Sequence, residues 1–273
     1  MKSLKMYCFS LSSSNLEKIK KINYIPVGLG KEKFDNNWLT DNTNDNISNK
    51  NSWYGENTFY YWLWKNNLEE NFNTDWLGFC HYRRFWLNKR EEEKNQDFQK
   101  SIIQEASKEW ENYDVVLRDE VFVNGTKFSK VLKHGKKQLL SNPFVFFSKK
   151  TMTVKVHYDM YHGFGEMDKA IELLDNENRE DFRKWVNTAQ SFNANNVFIC
   201  RSSKLYNDYC KTLFKWLQKC ETIFGFDPHR SYSRIRVYAF LSERFLSYWF
   251  KKNSNYKLWP MNFHDITNDT KNF

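Results

Sequence analysis

Short apolar runs alternate with stretches of helical periodicity through the first 120 residues, and this alternation constrains the fold more than any other feature. Leu4–Leu11 is β-rich and ends in the turn Ser12-Ser13-Ser14-Asn15, and Tyr24–Leu29 is a second short strand closed by Gly28 and Gly30. A polar Asn/Asp/Ser loop covers residues 35–52. Trp53, Glu56, Tyr60 and Trp64 then recur near helical spacing and predict a helix over Ser52–Asn66. Trp76–His81 is a compact apolar strand and Asp114–Leu117 another, with a charged stretch, Lys89–Tyr113, that reads as helix between them. Such alternation lays helices over the faces of a mainly parallel sheet. Further on, Val154–Leu174 reads as helix and Asn196–Cys200 as strand. Leu205, Tyr209, Leu213 and Leu217 mark one amphipathic helix, and Val237, Leu241, Phe245 and Trp249 another. No repeat and no Pro/Gly-rich linker divides the chain, so one α/β domain over residues 1–273 with a mostly helical C-terminal part is expected.

Composition narrows the class. A 40% hydrophobic share excludes global disorder, and the 18% aromatic share supplies core volume or stacking platforms for sugars and bases. Forty-two Lys and Arg against 33 Asp and Glu give a net charge of +9, which favours anionic partners. The Lys- and Asn-rich character of the whole chain, as AT-biased genomes encode, accounts for that charge ahead of any partner. Five scattered cysteines form no C-x-x-C pair; Cys200, Cys210 and Cys220 sit ten apart, which turns successive ones about 80° out of register on a helix. Neither a disulfide framework nor a zinc site is indicated. No apolar run reaches the roughly 18–20 residues that span a bilayer, and Met6–Leu11 is too short for a secretory core. The expectation is a cytoplasmic protein whose contact with an inner membrane is peripheral.

Several signatures are missing: G-x-G-x-x-G, the P-loop, G-x-S-x-G, H-E-x-x-H, and the D-x-D carboxylate pair with which many nucleotide-sugar enzymes hold a divalent metal. His157 and His162 lie five apart, a poor match to an i,i+4 metal pair. No metal site and no cofactor are expected. The densest polar constellation is Gly78-Phe79-Cys80-His81-Tyr82-Arg83-Arg84, where an apolar strand delivers four polar groups at its C-terminal end, the edge at which open α/β sheets bind ligands. Two guanidiniums and an imidazole suit a diphosphate; the alternative is packing by His81 and Tyr82 with surface ion pairs from the arginines. Asp45, Asn46 and Asn51 can read uracil, ribose or sugar hydroxyls, or simply form a solvated turn. Glu56 is either a carboxylate at the helix dipole or a sugar-hydroxyl acceptor. Arg236, Phe240 and Glu243 share one helical stripe, so Glu243 is an ion-paired structural carboxylate or a catalytic base.

The blocks resemble, in order, those of the DUF4422 family of bacterial capsule and exopolysaccharide glycosyltransferases. Asp45-Asn46-Ile47-Ser48, Lys50-Asn51, Tyr54 to Thr58 and Tyr61 to Asn66 look like its first block, and Gly78 to Arg84 its central one. Asn195-Asn196-Val197-Phe198-Ile199, with Tyr209-Cys210 and Leu213-Phe214, resembles a later block; Leu241 to Phe245 with Trp249 resembles the last. Gly55 stands where a Cys is common, Asn196-Val197 replaces Asn-Met, and the 118–153 region is longer than usual. The resemblance implies a GT-A-like nucleotide-binding fold, a donor half over 1–120, an acceptor-side half over 121–273, and a UDP-sugar donor, with UDP-galactofuranose the leading expectation because some relatives use it. The acceptor is expected to be a lipid-linked or oligosaccharide precursor of a surface polysaccharide, and the chemistry inverting.

On this reading His81, Tyr82, Arg83 and Arg84, with Asp45, Asn46, Asn51 and Glu56, bind the donor. Trp53, Tyr54, Asn195 and Asn196 bind the acceptor, the two aromatic rings packing on sugar C–H faces. The proton-accepting role is open among Asp168, Glu243 and His162. The rival reading is a basic, aromatic-rich nucleic-acid-binding protein without catalysis, which explains the charge and the Trp content but leaves the ordered blocks unexplained.

Overall fold

The computed structural model describes residues 2–66, 75–88, 97–124, 136–141 and 151–273. In chain order β1 (Leu4–Ser10) leads through α1 (Leu16–Lys21) to β2 (Ile25–Gly28) and β3 (Leu39–Thr40). Two short helical segments follow, α2 (Asn51–Tyr54) and α3 (Asn57–Asn66), then β4 (Trp76–His81), β5 (Arg84–Trp86), α4 (Phe98–Ser101), β6 (Val115–Arg118) and β7 (Val121–Phe122). The helical part comprises α5 (Lys136–Ser141), α6 (Val154–Tyr161), α7 (Glu166–Glu172) and α8 (Asn176–Thr188). After β8 (Ser191–Phe192) and β9 (Phe198–Cys200) come α9 (Ser203–Phe224), α10 (Tyr232–Ile235) and α11 (Val237–Asn253). The chain closes on β10 (Tyr256–Trp259) and β11 (Met261–Phe263).

The main sheet runs β10-β6-β9-β4-β1-β2-β3, with β5 beside β4 and β11 beside β5. Pairs β1/β2, β1/β4, β2/β3 and β6/β10 are parallel; β9 runs antiparallel to its neighbours β4 and β6, and β5 to β4 and β11. The sheet is therefore mixed and mainly parallel, as expected. Both faces are covered, which is why its strands read as continuous apolar runs rather than alternating ones. Tyr7, Phe9, Leu77, Phe79, Val115 and Leu117 point into one core beneath α3, α9 and α11, while Met6, Cys8, Trp76, Cys80 and Val116 point into a second core with Ile19, Phe98, Trp110 and Trp259.

Three helix expectations change. Ser52–Asn66 is two segments, because Gly55 takes φ +58 and ends α2. Val154–Leu174 breaks between α6 and α7 at Gly163 and Gly165, both at positive φ. The expected helix over Lys89–Tyr113 is not one: residues 89–96 lie outside the described residues, and the remainder holds only α4 and a 3₁₀ turn at Lys108–Trp110, its path set by burial of Phe98, Ile102, Ile103 and Trp110. Most of the basic stretch Lys127–Lys137 also lies outside them. The C-terminal end is not helical but returns to the sheet as β10 and β11.

Candidate active site

The strand order reverses direction around β1, with β2 on one side and β4 on the other, and this is where an open α/β sheet leaves a crevice beyond its carboxyl ends. A cleft of about 550 Å³ lies there, within the range of small-molecule sites. Its floor is Phe9–Leu11 from the end of β1, Leu29 after β2 and His81–Arg84 after β4; Asn195 and Asn196 before β9 and the α10–α11 stripe Tyr232, Ile235, Arg236, Ala239, Phe240 and Glu243 form a wall. Because β9 runs antiparallel, its entry rather than its exit reaches this edge.

Tyr82 and Arg83 are the turn of a tight hairpin in which His81 pairs Arg84. The turn's backbone is tied on both sides: Tyr82 N donates to Phe9 O (2.9 Å), Ile266 N to Tyr82 O (3.2 Å) and His264 N to Arg83 O (3.3 Å). The arginine side chains are left to the cleft. Arg84 stacks on Phe263 (4.2 Å) and Arg83 on Tyr82 (4.9 Å), and among the described residues neither forms an ion pair with a carboxylate. Burial, then Arg118 and Arg83, lower the Arg84 pKa. Arg118, at the end of β6, donates to Asn195 Oδ1. Positive charge is thus concentrated here, offset at Arg118 by Glu243 and Asp119, while Arg83 and Arg84 have no ion pair among the described residues.

The other side of the cleft is balanced. Glu56 Oε2 pairs with Arg236 Nη2 (3.3 Å) and Glu56 Oε1 accepts from Asn196 Nδ2 (2.8 Å). Glu243 Oε1 accepts from Asn195 N (2.5 Å) and Glu243 Oε2 from Arg244 Nη1 (2.5 Å). Asn195 and Asn196 take φ +75 and +48, a left-handed conformation that asparagine tolerates better than other side chains. This elbow ties the parts together: Asn195 O also meets His81 Nε2 (3.1 Å), so that nitrogen carries the proton and Nδ1 is left as the ring's acceptor, without a hydrogen bond among the described residues. Burial lowers the His81 pKa against the pull of Glu56, so the ring is neutral. Burial raises the Glu243 pKa, with Arg244 opposing, which moves this carboxyl toward the range of a useful base.

Of the expected site residues, His81, Tyr82, Arg83, Arg84, Asn51, Glu56, Asn195, Asn196 and Glu243 line the cleft together. The others do not. Asp168 sits half-exposed in the first turn of α7, paired with Lys155 (2.9 Å). His162 lies behind Phe240 (ring centroids 3.7 Å), its Nδ1 donating to Ser233 O (3.1 Å) and its Nε2 accepting from Arg244 (3.3 Å), so no lone pair is left for a substrate. Asp45 accepts from Tyr61 Oη (3.1 Å), and Asn46 Oδ1 caps Ser48; both serve the loop that packs against α3. Tyr54 is buried with its hydroxyl on Glu221 (2.7 Å), and the half-buried Trp53 packs against Phe226, so neither ring lines the cleft. Several cleft residues were not foreseen, Arg236, Tyr232 and Phe263 among them. Arg236 was visible only as part of a helical stripe. Tyr232 and Phe263 carried no local signal, since the α9–α11 connection and the β5–β11 pairing bring them in.

Residues 5–254 match the family described as "Domain of unknown function (DUF4422)". The chain belongs to the DUF4422 family. No curated protein matches it. Among solved structures this DUF4422 chain is similar to the apo structure of WbbM, a bifunctional glycosyltransferase, at a TM-score of 0.65 and 22% identity, over 96% of this chain and 45% of that one. It therefore spans under half the length of that protein, and what the two share is the fold. The expected glycosyltransferase-like α/β architecture is the one found. Among the described residues no helix is long and apolar enough to cross a membrane, and no cluster of three or more His, Cys, Asp or Glu is placed to hold a metal ion.

Proposed function

We propose that this DUF4422 chain is a glycosyltransferase that moves a sugar from a nucleotide-sugar donor to a hydroxyl of a saccharide acceptor. One observation carries the reading: Arg83 and Arg84 stand at the carboxyl edge of the parallel strands without a carboxylate partner among the described residues, beside a carboxyl group whose pKa burial raises. A bidentate guanidinium is matched to phosphate oxygens, and transfer requires charge stabilisation where the leaving diphosphate develops it. In the step proposed, Glu243 Oε takes the acceptor hydroxyl proton as that oxygen bonds to the anomeric carbon. The bond from the anomeric carbon to the β-phosphate oxygen breaks, and its electron pair leaves with the diphosphate onto Arg83 and Arg84. Direct displacement inverts the anomeric centre. We assign the donor to UDP-sugars, UDP-galactofuranose first, and the acceptor to a surface-polysaccharide precursor, by the family resemblance. The two arginines take the place of a divalent metal.

The test incubates the full chain with UDP-, GDP- and TDP-sugars, with and without exhaustive EDTA, and follows nucleoside diphosphate release by mass spectrometry. Release from a UDP-sugar that survives EDTA is expected. Activity that EDTA abolishes and Mn²⁺ or Mg²⁺ restores contradicts the arginine-for-metal assignment, and turnover of no donor contradicts the enzyme.

A further inference from the structure

The two sides of the cleft differ in charge, with His81 between them, influenced by Glu56 and Arg236 on one side and by Arg84 on the other. Arg83 and Arg84 form a side without ion pairs among the described residues. On the opposite side Arg236 is offset by Glu56, and Glu243 by Arg244. An anion gains most at the first side; at the second, a neutral, hydroxyl-rich ligand meets hydrogen-bonding groups without net charge.

The neutral side carries one large exposed ring. Tyr232, in the connection between α9 and α11, is 69% exposed yet not loose: its hydroxyl accepts from Arg236 Nη1 (2.8 Å), and the same guanidinium is held by Glu56. The next residue is anchored from below, with Ser233 O receiving His162 Nδ1 (3.1 Å). A ring fixed by its polar end, with the Arg236 guanidinium carbon 5.6 Å from its centroid and most of its surface still exposed, is preorganised, so little ordering cost falls on binding. The apolar C–H face of a hexose matches that surface, while its hydroxyls can reach the carboxylate side of the cleft.

Resting on the glycosyltransferase reading, we propose that Tyr232 is the acceptor platform: a neutral hexopyranoside stacks on its ring, with the reacting hydroxyl turned toward Glu243. The connection over residues 226–236, rather than Trp53 and Tyr54, is then the acceptor-recognition element.

The test uses the full chain with saturating UDP, and methyl β-D-galactopyranoside and methyl α-D-glucopyranoside as probes in saturation-transfer NMR; calorimetry measures UDP affinity separately. Transfer to sugar ring protons is expected in the wild type, reduced about fivefold or more in Tyr232→Ala and largely retained in Tyr232→Phe, which keeps the platform. The UDP affinity of Tyr232→Ala should stay within about twofold of wild type, as expected for a residue outside the donor site. Undiminished transfer in Tyr232→Ala overturns the proposal. So does absence of transfer to either probe in the wild type. A roughly tenfold loss of UDP affinity in Tyr232→Ala also overturns it, because the ring then serves the nucleotide. Failure of the wild type to bind UDP is a different result, and overturns the glycosyltransferase reading instead.

Discussion

Glu243 and Arg244 are sequence neighbours that face different surroundings. The carboxylate reaches the cleft, while the guanidinium turns into the core, donating to His157 Nδ1 (3.3 Å) and His162 Nε2 (3.3 Å). Glu243→Gln keeps the shape but removes both the proposed base and the carboxylate that offsets a buried arginine. Measured well below the melting temperature, kcat should fall about 10²- to 10⁴-fold. The melting temperature should fall too, since an unpaired buried charge costs several kcal/mol. A folded variant with near-normal kcat removes Glu243 from the base role. The same core sets a pH dependence. Burial, and then Arg244, hold His157 at about 3 and His162 at about 2, below the 6.5 of an unfolded histidine. The folded state keeps both rings neutral, so the unfolded chain binds more protons as pH falls below 6.5, and stability present above that value is lost toward acid. At pH 5 the loss is on the order of 2 kcal/mol per histidine, partly offset by the raised carboxyl of Glu243, which acts in the opposite sense. Urea unfolding at pH 7 and pH 5 should show this drop in the wild type and a flatter dependence in the His157→Gln, His162→Gln double variant; equal slopes contradict it.

The helical segments α2 and α3 show what periodicity can and cannot foresee. The recurrence of Trp53, Glu56, Tyr60 and Trp64 located them, but Gly55 interrupts the run at φ +58 and turns Glu56 into the cleft. A β-carbon on Gly55 would lie 2.1 Å from Arg236 Nη2, so glycine there both ends α2 and admits the guanidinium to its carboxylate. Gly55→Ala should cost about 1–3 kcal/mol for a positive-φ backbone (φ +58, ψ −139) essentially confined to glycine. It should also displace Arg236 from Glu56, seen as a lower melting temperature together with a higher acceptor KM. An unchanged KM in the folded variant contradicts this coupling. The site was legible where polar residues end apolar runs: His81 to Arg84 after β4, and Asn195-Asn196 before β9. It was illegible where polar residues fall in loops, since Asp45 and Asn46 satisfy a turn as readily as a ligand. It was also illegible where exposure decides, since a helical period cannot tell that Tyr54 points inward. The strands β10 and β11 were missed because Tyr256–Trp259 and Met261–Phe263 are short, polar-mixed and split by Pro260, and only pairing with β6 and β5 makes them strands.

Across the molecule, the segment beyond the family match at residue 254 completes the cleft rather than trailing from it. The strand β11 runs along β5 with Phe263 opposite Arg84, and Lys18 Nζ fixes the turn that follows by binding the carbonyls of Ile266 (2.7 Å), Thr267 (3.0 Å) and Asp269 (2.9 Å). The net charge of +9 is spread over a Lys-rich surface of which many members are ion-paired, as Lys50 is with Glu221 and Lys252 with Asp181. The arginines of the hairpin differ in facing a cleft with no ion pair among the described residues, and a basic surface of the other kind would bind nucleic acid in a strongly salt-dependent way instead. Calorimetric titration of the full chain with UDP, in EDTA and at raised salt, separates these accounts. The wild type should bind UDP under those conditions, and Arg84→Ala should bind it about 10- to 100-fold more weakly, the loss of a charge-assisted contact. Arg83→Lys should stay impaired, because an ammonium keeps the charge without the bidentate fork. UDP affinity that is unaltered by both substitutions, or that requires added Mn²⁺ or Mg²⁺, would contradict a diphosphate held by the hairpin arginines.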